Sequence, residues 1–458
     1  MTCAVLAPAT ASATDYASTA LAISSAGEWG SLSPPAAAAT QARMYDALTP
    51  LFNHVTDTQL PQFFKPEPLG GASAGPLSPE PVPHSGVTIT RDAYNVPHIT
   101  GATRDDVTWG AGWVTSEDRG LLLSEARYPS EIAAIDAPGL SAFNLITSLQ
   151  SFTPSKQTIA EVAKQTSVLL AAGARGRAVL HDIDVYLQGI NAYLASQHST
   201  QAPFTRTDIY AVSALKDQFV GEGGGQQALD SEFLSALQRR LGGRRGLAVF
   251  RDLREGNDPE APASLPGHVS FQAPPRSTSG NVILDAGSLP LARNPSPDAP
   301  AARVQASNAL LVSGARSATG HPIMVAGPQL GYDYPGFTDE MVLSGPGISV
   351  RGESTASFPG YVFIGRNQDS AWSLTSAGLD QIDTYVETLC GGGRHRYLFD
   401  GKCRPMQFFD AGSLGGKEIA FYRTVHGPVI GYARVHGRLV AVSLKRASYG
   451  KDVADLLF

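Results

Sequence analysis

Ser307-Asn308-Ala309-Leu310-Leu311-Val312-Ser313-Gly314 marks an abrupt change of texture in the chain. Upstream, residues 255–306 are polar and rich in proline, with nine of the 32 prolines and no sustained apolar period. Downstream begins an apolar, strand-like run that opens on a hydroxyl. A serine at such a junction gains meaning if the chain is cut before it, because its hydroxyl and a new α-amine then belong to one residue. A serine hydroxyl is a poor nucleophile without a base. A free α-amine, with a pKa of about 7.7–8.0, suits that task near neutral pH.

Beyond Ser307 the pattern is one of short alternating strands separated by Gly and Pro: Ile323-Met324-Val325, Tyr361-Val362-Phe363, Ile419 to Thr424 and Leu439 to Ser443. Before it, Val87-Thr88-Ile89-Thr90 reads as a strand that runs into Arg91 to Ile99. Thr103-Arg104-Asp105-Asp106 has the form of a capping box, opening a helix through Gly112 to Arg127. Leu180, Ile183, Leu187, Ile190 and Leu194 recur at helical spacing and predict a helix over 176–196. Thr205 to Asp208 opens another, with Ile209, Val212 and Leu215 on one face. The cluster from Gly221 to Gly225 breaks the chain. Leu229, Phe233, Leu234, Leu237 and Leu241 then mark a third helix, ended by Gly242-Gly243. These features divide the chain into a leader or strap over 14–85, a helical region over 86–254, a spacer over 255–306 and a strand-rich region over 307–458. The leader holds one amphipathic stretch near Met44 to Phe52 and the segment Gln62 to Lys65. Residues 1–13 are small and apolar and end in Ala11-Ser12-Ala13, which reads either as a plain Ala-rich start or as the remnant of a signal peptide.

The chain has 458 residues, 43% hydrophobic and 17% charged, the profile of a globular protein of two or three domains. A net charge of −6 argues against nucleic acid as a partner, and no apolar run is long enough to span a membrane. There are three cysteines. Cys390 and Cys403 flank a strand–turn–strand pattern without further metal-type ligands; a disulfide is expected in an exported protein and free thiols otherwise. The phosphate loop GxxxxGK[ST] and the HExxH zinc motif are both absent.

One set of segments falls into a specific order. Ser307-Asn308 is followed by Ile323 to Gly331, which contains Gly327-Pro328-Gln329. Then come Phe358-Pro359-Gly360, Trp372-Ser373-Leu374-Thr375-Ser376-Ala377-Gly378, and Asp380-Gln381-Ile382-Asp383-Thr384-Tyr385-Val386-Glu387. Upstream stand Arg91-Asp92 with Val96-Pro97-His98-Ile99, and Gly110 to Arg119. Together these resemble the penicillin acylase family of N-terminal-nucleophile hydrolases, from residue 86 to the end, in the family's order of α-chain, spacer and β-chain. The resemblance implies an α+β fold, the four-layer αββα sandwich of those hydrolases, incomplete at its C-terminal side and wrapped by a helical α-chain segment. It also implies self-cleavage at Ala306–Ser307, leaving α and β chains of one precursor, and hydrolysis of a linear amide with a hydrophobic acyl group.

By the same resemblance Ser307 is nucleophile and base carrier. A backbone N–H at Ser376 serves the oxyanion, Gln329 lies beside the serine and orients its amine, and Phe363 lines the acyl pocket. One structural calcium ion is implied, held by Asp380, Ile382 and Asp383, with Gln227 where the family has a glutamate and with Glu222 or Asp230 as substitutes nearby; hard oxygen ligands suit this ion. No organic cofactor is implied. The setting is periplasmic or extracellular. Two departures stand out. The glycine cluster 221–225 replaces a bulky pair found in penicillin-specific members, so acyl-homoserine lactones, lipopeptides and N-acyl amino acids are equally open as substrates. The stretch from Ser307 to Phe458 is also shorter than the family's β-chain, lacks the second oxyanion donor, and ends on Lys451 to Phe458, which reads as the start of an apolar helix. The chain is therefore expected to be a fragment or to need a separately encoded piece, with weak or no turnover and poor solubility alone. The competing reading is an uncut, non-catalytic remnant or binding module.

Overall fold

The computed structural model describes residues 56, 58–59, 77–92, 95–220, 222–253, 282–290, 306–329, 337–375 and 379–457; the side chains of residues 219, 220, 222, 306 and 329 lie outside that description. The expectations for Met44 to Phe52, Gln62 to Lys65 and Ser376 fall outside the described residues. Ten α-helices occur among them. They are α1 (Arg104–Asp118), α2 (Gly120–Ala126), α3 (Pro129–Ala134), α4 (Ala142–Thr147), α5 (Lys156–Ala163), α6 (Thr166–Ala171), α7 (Gly173–Ser196), α8 (Arg206–Val220), α9 (Gln227–Leu241) and α10 (Gly243–Leu253).

The helix starts follow their sequence signals. Thr103 Oγ1 accepts the Asp106 N–H at 3.1 Å while Asp106 Oδ2 accepts the Thr103 N–H at 2.9 Å, a reciprocal cap. Asp208 Oδ2 likewise accepts the N–H and hydroxyl of Thr205 at the head of α8. In α7, Leu180, Ile183, Leu187 and Ile190 are buried, the face that their spacing predicted. Glycine sets how closely α1 and α7 approach. A Cβ on Gly112 would lie 2.1 Å from the Tyr186 carbonyl oxygen, and one on Gly189 would lie 2.0 Å from that of Trp109. Neither helix could hold its place with a larger residue there.

Two seven-stranded sheets carry the rest. The first contains β1 (Ser78–Glu80), β2 (Val87–Arg91), β3 (Pro97–Gly101), β8 (Thr338–Gly345), β9 (Ile348–Thr355), β10 (Ile364–Arg366) and β11 (Ala371–Trp372), in that spatial order. Its β3–β8 pair is parallel, with Ile99 opposite Leu343. The second runs in the order β4 (Phe152–Pro154), β15 (Gln407–Leu414), β16 (Lys417–Thr424), β17 (Gly427–Val435), β18 (Arg438–Arg446), β12 (Leu379–Thr388) and β5 (Glu222–Gly224). Both edges of this sheet come from the helical region: β4 pairs with β15, and β5 runs parallel to β12. A continuous core extends from Ile89, Ile99, Met341 and Leu343 through the helices to Phe409, Ala411 and Phe421. The architecture is α+β, as expected. No described helix is long and apolar enough to cross a membrane.

Two hairpins complete the strands. β13 (Arg396–Phe399) and β14 (Lys402–Pro405) pair with each other, and a disulfide joins Cys390 to Cys403 across them. β6 (Ala306–Val312) and β7 (Ile323–Gln329) form a separate two-stranded sheet. Leu310, Leu311 and Val325 on this hairpin are 65%, 71% and 69% exposed.

Several expectations are corrected. The glycine cluster does more than break the chain, because Glu222–Gly224 finds strand partners in β12. Within the leader, Ser78–Glu80 joins a sheet. Tyr361 to Phe363 lies outside any strand, which begins at Ile364. The helix read at the end of the chain is short and of 3-10 type, residues 452–457, and buries Val453 and Leu456. Within the supposed spacer, residues 282–290 pack into the fold. Leu284 and Leu289 are buried against Ala228, Ala433 and Val440, and Asp285 accepts the N–H groups of His436 and Gly437 at 2.9 and 2.7 Å.

Candidate active site

Ser307 is the second residue of β6. The ladder sets Ala306 opposite Gln329, Ser307 opposite Pro328 and Asn308 opposite Gly327. The Ala306–Ser307 peptide is therefore held in extended backbone against the Gly-Pro-Gln segment. Pro328, opposite the serine, has no N–H to donate. Ser307 is half-buried. The Gln329 backbone pairs with Ala306, the residue before the serine.

Phe363 follows the Phe-Pro-Gly turn. Gly360, at φ 73°, lets this turn lie on Ala111 and Thr108 of α1. The Phe363 N–H donates to the Glu353 carbonyl at 3.0 Å, and its ring stacks on Phe358 at 5.6 Å between centroids. Trp372 anchors the segment leading towards Thr375 by donating its indole N–H to the Val362 carbonyl at 3.2 Å. Two residues missed by sequence reasoning belong to this aromatic patch. Phe358 carries the stack, and the buried Lys216 sets its ammonium 4.6 Å from the Phe358 ring centre. Lys216 is paired with Asp217 at 3.0 Å and with Asp455. Among the described residues no strand pairing, hydrogen bond or ring contact joins the Ser307 hairpin to Phe363 or to Asp380–Asp383.

The acidic segment does come together with the helical region. Gln227, the first residue of α9, donates its side-chain amide N–H to the Ile382 carbonyl at 3.1 Å and lies 3.5 Å from Asp383 Oδ1. The Gly225 N–H donates to the same carbonyl at 2.5 Å. Asp380 and Asp383 are exposed. Asp230 stands in the first turn of α9. No cluster of three or more His, Cys, Asp or Glu suited to a metal occurs among the described residues.

Further along β12 lies a polar cluster that sequence reasoning also missed. Glu387 Oε1 accepts from Ser443 Oγ at 2.6 Å, Thr424 Oγ1 at 2.7 Å and His426 Nδ1 at 2.9 Å. The His426 ring stacks on Tyr385 at 4.0 Å. The signal was faint, since the members are single residues on three different strands and a turn.

The described elements thus set a serine near the start of a strand that follows a proline-rich tract, and an acidic strand clasped by an upstream helix. A penicillin amidase family model matches residues 86–456, and the chain belongs to that family. With it comes the N-terminal-nucleophile hydrolase fold that the sequence implied. The chain is 25% identical over 426 residues to penicillin G acylase of Escherichia coli, covering 81% of this chain and 49% of that protein. It is 24% identical over 408 residues to penicillin acylase 2 proenzyme of Pseudomonas sp. (strain SE83), covering 85% and 48%. With acyl-homoserine lactone acylase QuiP of Pseudomonas aeruginosa it shares 32% identity over 136 residues, covering 28% and 16%. Among solved structures, thermostable penicillin G acylase from Alcaligenes faecalis matches at 25% identity and a TM-score of 0.28, over 40% of this chain and 98% of that chain. The chain spans about half the length of the first two curated relatives.

Proposed function

We propose that the chain is the serine-bearing part of an amidohydrolase that matures by cutting its own Ala306–Ser307 bond. The observation that carries this reading is the position of Ser307: it is the second residue of β6, a strand that pairs with β7 outside the two large sheets, opposite Pro328 and next to the Ala306–Gln329 pair, in a chain of the penicillin amidase family. The Ser307 hydroxyl attacks the Ala306 carbonyl carbon, and the scissile nitrogen leaves with a proton, giving an ester. Water then hydrolyses the ester, restoring the hydroxyl and leaving a carboxylate on Ala306 and a free amine on Ser307. In turnover the same hydroxyl attacks a substrate amide, its proton passes by way of the α-amine to the departing amine, and water releases the acyl group. Positioned donors stabilise the oxyanion in such steps, and the N–H of Ser376 is assigned that role.

The acyl group is hydrophobic and rests on the Phe358–Phe363 stack. Relatives named as penicillin and acyl-homoserine lactone acylases support a linear amide substrate with such a group. The Cys390–Cys403 disulfide supports an exported, oxidising setting. Intact mass and N-terminal sequencing of the purified chain test the proposal. A new terminus at Ser307, abolished by Ser307→Ala, is the expected result, and a single uncut chain refutes self-processing. The second reading is an uncut chain without turnover. It draws on the exposed apolar side chains of Leu310, Leu311 and Val325, because a hairpin so uncovered holds its serine loosely.

A further inference from the structure

The family resemblance calls for a calcium ion at Asp380, Ile382 and Asp383, completed by a residue at position 227. The donors present do not fit it. A calcium ion takes six to eight oxygen ligands, and a backbone carbonyl offers two lone pairs. At Ile382 both face N–H groups, that of Gly225 at 2.5 Å and the amide of Gln227 at 3.1 Å. The chemistry dictates which end of the Gln227 amide points there. Ile382 O and Asp383 Oδ1 are acceptors, so the NH2 end must face them, while Thr384 Oγ1 lies 3.5 Å from the other end, Oε1. The backbone also fills the space. Gly224, at φ 97°, lies so close to β12 that a Cβ there would sit 2.1 Å from Asp380 Oδ1 and 2.5 Å from Ile382 O. A cation brought to the Ile382 carbonyl would meet N–H donors in place of lone pairs.

We propose that in this chain the Gln227 carboxamide replaces the metal ion, joining the start of α9 to β12 by hydrogen bonds, so that the joint is independent of calcium. The inference stands apart from the chemistry at Ser307, since it concerns how the helical region is fastened to the second sheet whether or not the chain is cut.

Thermal melting of the full chain in calcium and in EDTA tests it, alongside terbium luminescence as a direct probe of the site. The wild type is expected to melt at the same temperature within about 1 °C in either condition at millimolar concentrations, with no saturable terbium signal, because a ligand bound weakly adds almost no stability. Gln227→Glu removes the N–H donor and supplies a third carboxylate. Its melting temperature should fall in EDTA and rise by several degrees in saturating calcium. Gln227→Leu keeps the size without the donor and should melt lower than the wild type by the same amount in both conditions. A wild type that gains several degrees in calcium, or binds terbium stoichiometrically, overturns the proposal. So does a Gln227→Leu variant as stable as the wild type. If Gln227→Glu does not fold, those two measurements still decide.

Discussion

Replacing Glu387 by leucine should be among the most damaging single changes in the second sheet. Glu387 is 3% exposed, and its Oε1 gathers donors from three places: Ser443 on β18, Thr424 at the end of β16, and His426 in the turn that follows. Leucine has similar bulk and no acceptor. Ser443, with no exposed surface, loses its partner, and a buried unsatisfied hydroxyl costs about 1–3 kcal/mol. As a donor Thr424 is left with a 3.5 Å approach to the Gly427 carbonyl, while its oxygen still accepts the His426 N–H at 3.1 Å. His426, whose side chain is 20% exposed, can turn to water, so its loss is small. Hydrogen bonds to a charged group contribute about 1.5–3 kcal/mol each, and removing the buried carboxylate returns part of its own desolvation cost. The net loss is about 3 kcal/mol, read in a chain of this length as a fall in melting temperature of roughly 3–5 °C. The double variant with Ser443→Ala should recover about 1–2 kcal/mol, because both partners are then gone. A single variant that loses less than about 1 kcal/mol, or a double variant simply additive with the singles, would refute the cluster as a joint between strands.

Four further outcomes follow from particular contacts. Glu131 is buried with Oε2 unpartnered among the described residues, and burial first, then the nearby Asp208 charge, pushes its pKa up to about 8. The folded state therefore holds a proton that the unfolded chain releases near pH 4.5, so this residue's contribution to stability falls by on the order of 1 kcal/mol per pH unit as pH rises towards 8. Glu131→Gln should flatten that slope in melts between pH 5 and pH 8, and an unchanged slope counts against it. Gly112→Ala and Gly189→Ala should each cost about 2 kcal/mol or more by forcing α1 from α7, whereas Gly120→Ala, with nothing within 4 Å, should be neutral or stabilising; equal melting temperatures for all three would contradict the close packing. Reducing Cys390–Cys403 should speed amide exchange in β13 and β14, since a link across so short a loop contributes about 3 kcal/mol; unaltered exchange would show that the hairpin stands without it. Finally, an upstream product of cleavage should still contain residues 282–290, and a C-terminus before Val282 by mass spectrometry would contradict their docking on α9 and β17.

What the sequence disclosed was mostly local. The cap at Thr103, the apolar face of α7 and the strands β16 and β18 each rest on periodicity or on residues three or four apart, where the physics of one element suffices. What it hid depends on partners far along the chain. Glu222–Gly224 is a strand only because β12 lies beside it, and no glycine run announces that. Leu284 and Leu289 form a two-residue anchor inside a tract whose overall composition is that of a linker. At the calcium-type segment the residue types were read from the chain, but the direction of the Gln227 amide exists only once Ile382 and Asp383 surround it. The aromatic pair is a middle case, with Phe363 singled out by resemblance and Phe358 recognised only from its stacking.

The placement of Ser307 outside both large sheets has a mechanical consequence for the proposed cut. The upstream region lends strands to each sheet, through β3 beside β8, β4 beside β15 and β5 beside β12. Buried polar links cross the same divide: Arg446, almost wholly inaccessible, pairs with Asp136 at 2.7 Å and with Asp452, which Gln165 also holds at 2.9 Å. Breaking one such buried pair costs about 3–5 kcal/mol, and the continuous apolar core adds more. Two chains produced by a cut at 306–307 could not part without unfolding both sheets. The cut itself disturbs neither, because among the described residues β6 and β7 pair only with each other. A new terminus can thus be made on a hairpin apart from the sheets that keep the two pieces together.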